Sequence, residues 1–329
     1  MLVALALSWW QDALITKFSF LEGILLMARR LSPMITLTAG AAILGLALSA
    51  CGSSSLTTPS TSKPAVPTQA VDPALAAKLP AKIKSAGQIV IGVDATYSPD
   101  EFLDADGKTV KGWDVDLFNA VMQKFGVKVV WQPSGFDSIV TGVQGGKFDA
   151  GVSSFSINPG RMKQVNMVSY YISGTGWATA PGNPKKVDPL NPCGVNVAVQ
   201  KGTTQELDDL TPKIKKCAAA GKPLNPLVYS GQDQVAAAVV SGKADAMLAD
   251  SQVTAYAVKQ SGGKMETVPP IYATTPYGYA IPKAETAFAQ AIADALKALD
   301  ASGTYKKILT NWGVEAGAIS DFAVNPTVK

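Results

Sequence analysis

From Gln88 onward, short runs of β-branched and apolar residues alternate with amphipathic stretches. Ile89 to Val93 and Val127 to Trp131 predict strands, and so does Val195 to Val199. Between the first two, Asp114 is placed to cap a helix whose apolar face carries Leu117, Phe118, Val121, Met122 and Phe125, and Gly126 stops it. Phe136, Ile139, Val140 and Val143 mark a second helical face, and Gln232 to Val240 a third helix. Strands alternating with helices predict an α/β fold with largely parallel sheets, whose ligands bind beyond the carboxyl ends of the strands.

The pattern contains an echo. Gly146-Lys147-Phe148-Asp149-Ala150 returns as Gly242-Lys243-Ala244-Asp245-Ala246, each copy following a helix that ends in valines and opening an apolar strand. Eight residues past the glycine, the first copy reaches Ser154 and the second Asp250. Two similar lobes explain this; a common helix-to-strand link, met twice by chance, explains it as well. Asp149 and Asp245 themselves read as structural turn carboxylates.

Upstream, the pattern changes character. Arg29 and Arg30 precede an apolar run from Ile35 to Ala50, the layout of a secretory signal and shorter than a membrane span needs. Leu48-Ser49-Ala50-Cys51 resembles a bacterial lipobox, which implies lipidation at Cys51. The apolar, aromatic residues 1–26 fit no such signal, and Met27 is the expected start of translation. Arg29-Arg30 leaves the choice between general and twin-arginine export open. Residues 52 to about 74, rich in Ser, Thr, Pro and Ala, read as a tether.

Composition then removes whole classes of chemistry. The 329 residues are 47% hydrophobic and 16% charged, which marks a folded chain long enough for two lobes. There is no histidine, so triads built on histidine and His-ligated metal sites are excluded, and 3 cysteines are too few for a Cys₄ zinc site. The formal charge is +4; removing residues 1–50, with three cations and two anions, leaves +3. That charge forms no dense basic stripe, so no nucleic-acid partner is expected. Gly107-Lys108-Thr109 mimics the end of a P-loop, but Phe102 occupies the place of its first glycine, and the segment reads as a turn. The lysines from Lys213 to Lys222 read as solvated helix surface.

Four strings occur in order: Ile91-Gly92-Val93-Asp94-Ala95-Thr96-Tyr97-Ser98-Pro99; Gly112-Trp113-Asp114-Val115-Asp116-Leu117; Gly146-Lys147-Phe148-Asp149 continuing through Ser153-Ser154-Phe155-Ser156-Ile157-Asn158-Pro159-Gly160-Arg161; and Gln200-Lys201-Gly202-Thr203-Thr204-Gln205. From about Leu79 to Gly313 the chain resembles the family 3 extracellular solute-binding proteins, the amino-acid receptors of ABC importers. Two departures stand out: the Pro-Phe-Glu usual after the tyrosine is Pro99-Asp100-Glu101 here, and Gly160 stands where a larger residue is common.

The resemblance implies a two-lobed α/β fold of the periplasmic-binding-protein type, each lobe a mostly parallel sheet flanked by helices, joined by two hinge strands. The expected division is 1–50 signal peptide, 51–78 lipidated cysteine and tether, 79–178 with 280–329 as a discontinuous first lobe, and 179–279 as the second. The crossings are expected near Gly174–Ala180 and Tyr277–Ile281, and the last helices around Ala287–Ala301 and Tyr305–Trp312.

It also implies a ligand set. Arg161 offers a planar charged fork to the carboxylate of a free amino acid, and Thr204 adds a hydroxyl and a backbone N–H. Asp250, the Ser154 carbonyl and the Ser156 hydroxyl match the acceptors of the ammonium. Tyr97 and Phe136 match the aromatic faces that sandwich the ligand's carbons. Asp94 matches a position that meets a polar or cationic side chain, or else is a strand-end turn residue. The expected partners are a free amino acid, an ABC permease with its separate ATPase, and the membrane through the N-terminal lipid. The receptor is expected to be a monomer with no cofactor and no metal, extracytoplasmic and lipid-anchored. In such an exported lobe, Cys193 and Cys217 are expected to pair, closing a 25-residue loop. Two rival readings are a cyclohexadienyl dehydratase-like enzyme on the same fold, using Asp94 or Glu101 as acid, and a sensory lipoprotein that feeds no transporter.

Overall fold

The computed structural model describes residues 66–328; the signal, Met27, Cys51 and most of the tether lie outside them. Among these residues the strands are, in chain order, β1 (Gln88–Val93), β2 (Thr96–Tyr97), β3 (Glu101–Leu103), β4 (Val110–Lys111), β5 (Lys128–Pro133), β6 (Ala150–Gly151), β7 (Val165–Thr179), β8 (Asn196–Gln200), β9 (Asn225–Tyr229), β10 (Ala246–Asp250) and β11 (Glu266–Pro282). Eight form one sheet in the order β5-β1-β6-β11-β7-β10-β8-β9, and β2, β3 and β4 form a small antiparallel sheet.

The sheet is mixed, not mostly parallel. Both wings are parallel, β5-β1-β6 on one side and β10-β8-β9 on the other. Between them the two long strands β7 and β11 run antiparallel to each other and to their outer neighbours. Along β7 the partners change at the middle: Thr175 to Thr179 pair with β10 as well as β11, and the residues before them pair with β11 and, at Val168, bridge to Val324 near the C-terminus. Opposite this point, β11 is irregular, with register shifts between Val268 and Tyr272, Tyr272 and Thr275, and Tyr277 and Gly278. The chain thus loosens its pairing where the two wings meet.

Each wing carries apolar layers on both faces, which explains why its strands read as almost unbroken apolar runs. In the first wing, Leu117, Phe118 and Val121 of the helix Trp113–Phe125 pack with Phe288, Ile292 and Leu296 of the helix Thr286–Ala301. The opposite face holds Ile139, Val143, Phe148 and Phe155. In the second wing, Val235, Val239, Met247 and Val253 form one layer, and Trp177, Val197, Leu210 and Cys217 the other. The disulfide Cys193–Cys217 forms, with its Cα atoms 5.1 Å apart.

The echoed turns do the same job in both wings. Asp149 donates its amide to Val90 O at 2.8 Å and accepts the Val90 amide on Oδ2 at 2.9 Å. Asp245 makes the same pair with Asn196, both at 2.8 Å. Each carboxylate thus seals the turn onto the neighbouring parallel strand.

Three expectations are corrected. Asp114 is not the helix cap: Gly112 is, because a Cβ there would sit 1.9 Å from Asp100 O, and only glycine fits. Asp114 lies one residue inside the helix, fully buried, and accepts the Tyr170 hydroxyl at 2.6 Å. The tether ends before residue 78: Asp72 caps the short helix Pro73–Ala76, and Leu75 is buried in the first core. Lys213 is not solvated. Its ammonium lies 2.7 Å from Asp209 and sits over the Trp177 and Tyr272 rings, so its charge is spent internally.

Candidate functional site

The carboxyl ends of β1, β6, β8 and β10 face one region, and the residues just past them build a small cavity. Tyr97, Phe136, Ser154, Ser156, Arg161, Thr204 and Asp250 line it, joined by Thr203 and Gln205. Seven of the eight residues expected at a ligand site therefore meet. The cavity measures about 10 Å³, room for a water molecule and no more, so anything larger enters only if its walls part. Two larger recesses flank it, one of about 390 Å³ and one of about 240 Å³.

Arg161 sits in the helix Pro159–Gln164, whose cap Asn158 accepts the Arg161 amide on Oδ1 at 2.8 Å. Its guanidinium donates to Ser156 O at 2.8 Å and to Gly202 O at 3.2 Å, with the Phe136 and Phe155 rings 5.3 and 5.4 Å away. Burial lowers its pKa to about 10, partly opposed by the charges of Asp250 and Asp208, so it stays cationic at neutral pH. The backbone carbonyls and rings fix the fork and leave donors directed at the cavity it lines. Gly202 can approach because it is glycine: its φ is +78° and a Cβ would lie 2.8 Å from the Asp137 Cβ.

Asp250, the last residue of β10, is buried. Tyr97 Oη donates to its Oδ2 at 2.6 Å and Gln205 Nε2 to its Oδ1 at 3.0 Å. Burial raises its pKa, and these donors together with Arg161 oppose the shift. Ser156 Oγ and Thr204 Oγ1 are 3.3 Å apart. Ser154, at φ 50°, turns its hydroxyl away from the cavity, toward Asp100 Oδ2 at 3.0 Å and Glu101 Oε2 at 3.1 Å.

Asp94 does not reach this cavity. Thr96 donates its amide at 3.1 Å and its hydroxyl at 2.7 Å to Asp94 Oδ1, and Gln200 Nε2 donates to Oδ2. The carboxylate is occupied by a strand-end turn and by the end of β8. It borders a separate recess, with Pro133 and Ser134.

Sequence reasoning did not single out Gln205 and Phe155, although both lie inside the quoted strings. It also missed what Asp100 does. Asp100, Glu101 and Asp114 are all fully buried behind Ser154. Trp113 Nε1 donates to Asp100 at 2.6 Å, and Gln252 Nε2 links Asp100 to Tyr277 Oη at 2.7 Å each. Burial raises the pKa of all three acids, that of Asp114 to about 7. Among the described residues, no group of His, Cys, Asp and Glu is arranged to hold a metal ion.

The profile of the bacterial extracellular solute-binding proteins, family 3, matches residues 89–315. The arginine-binding protein ArgT of Corynebacterium glutamicum is 35% identical over 254 residues, covering 77% of this chain and 83% of that protein. The structure of an ancestral arginine-binding protein bound to arginine is similar with a TM-score of 0.63 and 30% identity, covering 69% of this chain and 98% of that one. A second structure, the ancestral amino acid-binding protein AncCDT-1, described as a precursor of cyclohexadienyl dehydratase, matches with a TM-score of 0.63 and 32% identity over 70% of this chain and 97% of that one.

Proposed function

The chain belongs to family 3 of the bacterial extracellular solute-binding proteins, and on that basis we propose that it captures a basic amino acid, arginine foremost, and hands it to an ABC importer. One observation carries the reading: a half-buried cation, Arg161, and a buried anion, Asp250, line the same cavity, matching the two charges of a free amino acid. In this reading the ligand carboxylate docks on Arg161 and Thr204, the ammonium on Asp250, Ser156 and the Ser154 carbonyl, and the carbons between Tyr97 and Phe136. Arginine is favoured by the arginine-binding relatives. The contacts between residues on different wings imply that the two wings close on the ligand and part to admit it.

The remaining parts of the proposal concern the anchor. Cys51 carries the lipid, residues 52–65 hold the domain off the membrane, and the receptor works as an extracytoplasmic monomer. Family members are solute-binding proteins, and the dehydratase rival survives only as the neighbour AncCDT-1.

A thermal-shift screen over the free amino acids tests the reading, because a ligand that binds only the folded state raises its stability by about 2.7 kcal/mol at a hundredfold excess over Kd. Arginine should give the largest shift, and Arg161→Ala should abolish micromolar binding in calorimetry. No response to any basic amino acid, or undiminished binding by Arg161→Ala, overturns it.

A further inference from the structure

Arg161 lines both the larger flanking recess and the closed cavity. The larger recess shares Phe136, Arg161 and Thr204 with the cavity, and the smaller one shares Ser156, Thr204, Gln205 and Asp250. Both recesses therefore adjoin the cavity through shared lining residues. One charged residue borders both, Asp208. It is exposed, on the π-helical turn Gln205–Leu210 that follows Thr204. Segments of this kind recur at functional sites.

Charge pairing sets Asp208 apart from Asp137 and Asp209, and Asp250, also without an ion pair among the described residues, is buried and held by Tyr97 and Gln205. Asp137, in the larger recess, pairs with Lys201 at 2.8 Å, and Asp209, in the smaller one, pairs with Lys213 at 2.7 Å. Asp208 has no ion pair among the described residues. Its charge acts on the Arg161 guanidinium from outside the cavity. The chain as a whole is net positive at +4, so a negative cleft mouth runs against the average field of the molecule. Charges at a cleft mouth act where low-dielectric walls focus their field on an approaching ligand.

We propose that Asp208 is a specificity-determining residue that works before binding is complete: it draws cationic amino acids into both recesses and turns anionic ones away, where Arg161 alone would favour any carboxylate. The inference rests on the proposed capture of a basic amino acid. It adds a selection step in the association rate, separate from the contacts that hold the bound ligand.

Stopped-flow measurement of arginine association, at ionic strengths from about 10 mM to 0.5 M, tests this with wild type, Asp208→Asn, Asp208→Glu and Asp208→Lys. The wild-type rate constant should fall as salt rises. Asp208→Asn should slow association on the order of two- to fivefold at low salt, with the difference vanishing once the Debye length shrinks to a few ångströms. Asp208→Lys should slow it further and flatten or invert the salt slope, and Asp208→Glu should restore wild-type behaviour. A general folding defect would leave the salt slope unchanged, so an unchanged slope in Asp208→Lys overturns the inference. If the wild type binds arginine with no salt dependence, the inference fails alone. If it binds no basic amino acid at equilibrium, the functional reading fails and the inference falls with it.

Discussion

The Tyr97 hydroxyl donates to Asp250 Oδ2 at 2.6 Å and accepts the Asp250 backbone amide at 3.1 Å, so one phenol satisfies both ends of the same residue. In the proposed mode of binding, a ligand ammonium comes to a carboxylate that already has a neutral donor. The two variants at this contact should therefore separate. Tyr97→Phe leaves a buried carboxylate short of a donor and should cost about 1–3 kcal/mol of folding stability, seen as a lower Tm. Asp250→Asn keeps the shape but loses the charge, and should weaken arginine binding by about 2–5 kcal/mol in calorimetry. Undiminished affinity in Asp250→Asn would remove Asp250 from the site.

Gly202→Ala puts a methyl group 2.8 Å from the Asp137 Cβ at a φ of +78°. The strain falls on the contact between the loop after β8 and the helix Phe136–Gln144, so it should oppose closure more than folding. Affinity for arginine should drop by about fivefold or more, with a cost exceeding about 1 kcal/mol. Calorimetry beside a thermal melt measures the two effects separately; a loss of Tm with full affinity would contradict this.

Buried acids make stability fall as pH rises. Asp114 titrates near pH 7 in the folded protein and near 3.8 in an ordinary setting, because burial disfavours its charged form. Between these values the folded chain holds the extra proton, so stability declines from about pH 4 to about pH 7 and then levels off. Asp100, Glu101 and Asp250 shift in the same direction. The Tm at pH 5 should exceed that at pH 7.5, and Asp114→Asn should shrink the difference. A Tm that rises steadily over this range would refute the account.

Cys193 and Cys217 close a loop of sequence separation 24. Cutting it with Cys217→Ser should cost about 3–4 kcal/mol in the loop-entropy account. Thiol titration of the native, non-reduced protein should find neither of these cysteines free; finding both would oppose the pairing.

The sequence was legible where local pattern reflects burial. The helix Gln232–Val240 appears with the bounds expected of it, because its apolar spacing marks the face that packs on β8 and β10. The helix Trp113–Phe125 shows its apolar stripe in the same way, yet its cap was misassigned. That choice depended on Asp100 O approaching Gly112 from a distant segment, which no local spacing records. Five of the seven cavity residues lie in the ordered motifs, Phe136 and Asp250 came from the wider resemblance, and the structure brings all seven together. Asp94 takes up the strand-end turn, its alternative reading, through Thr96, while its bond to Gln200 and the pairing of Lys213 with Asp209 and two aromatic rings depend on tertiary placement. Asp100 looked like a mere departure from the family string; only folding shows it buried beneath the site, held by Trp113 and Gln252.

Lys201 and Asp137 pair at 2.8 Å with both side chains substantially exposed, at 61% and 40%. Surface ion pairs of this sort add little stability, so neither side chain is needed for folding. They also lie on facing elements at the rim of the binding region, on the loop after β8 and on the helix Phe136–Gln144. A pair of small dyes attached at these two positions would be quenched when the rims meet and would brighten when they separate. The receptor thereby offers a ready optical sensor for its own ligand.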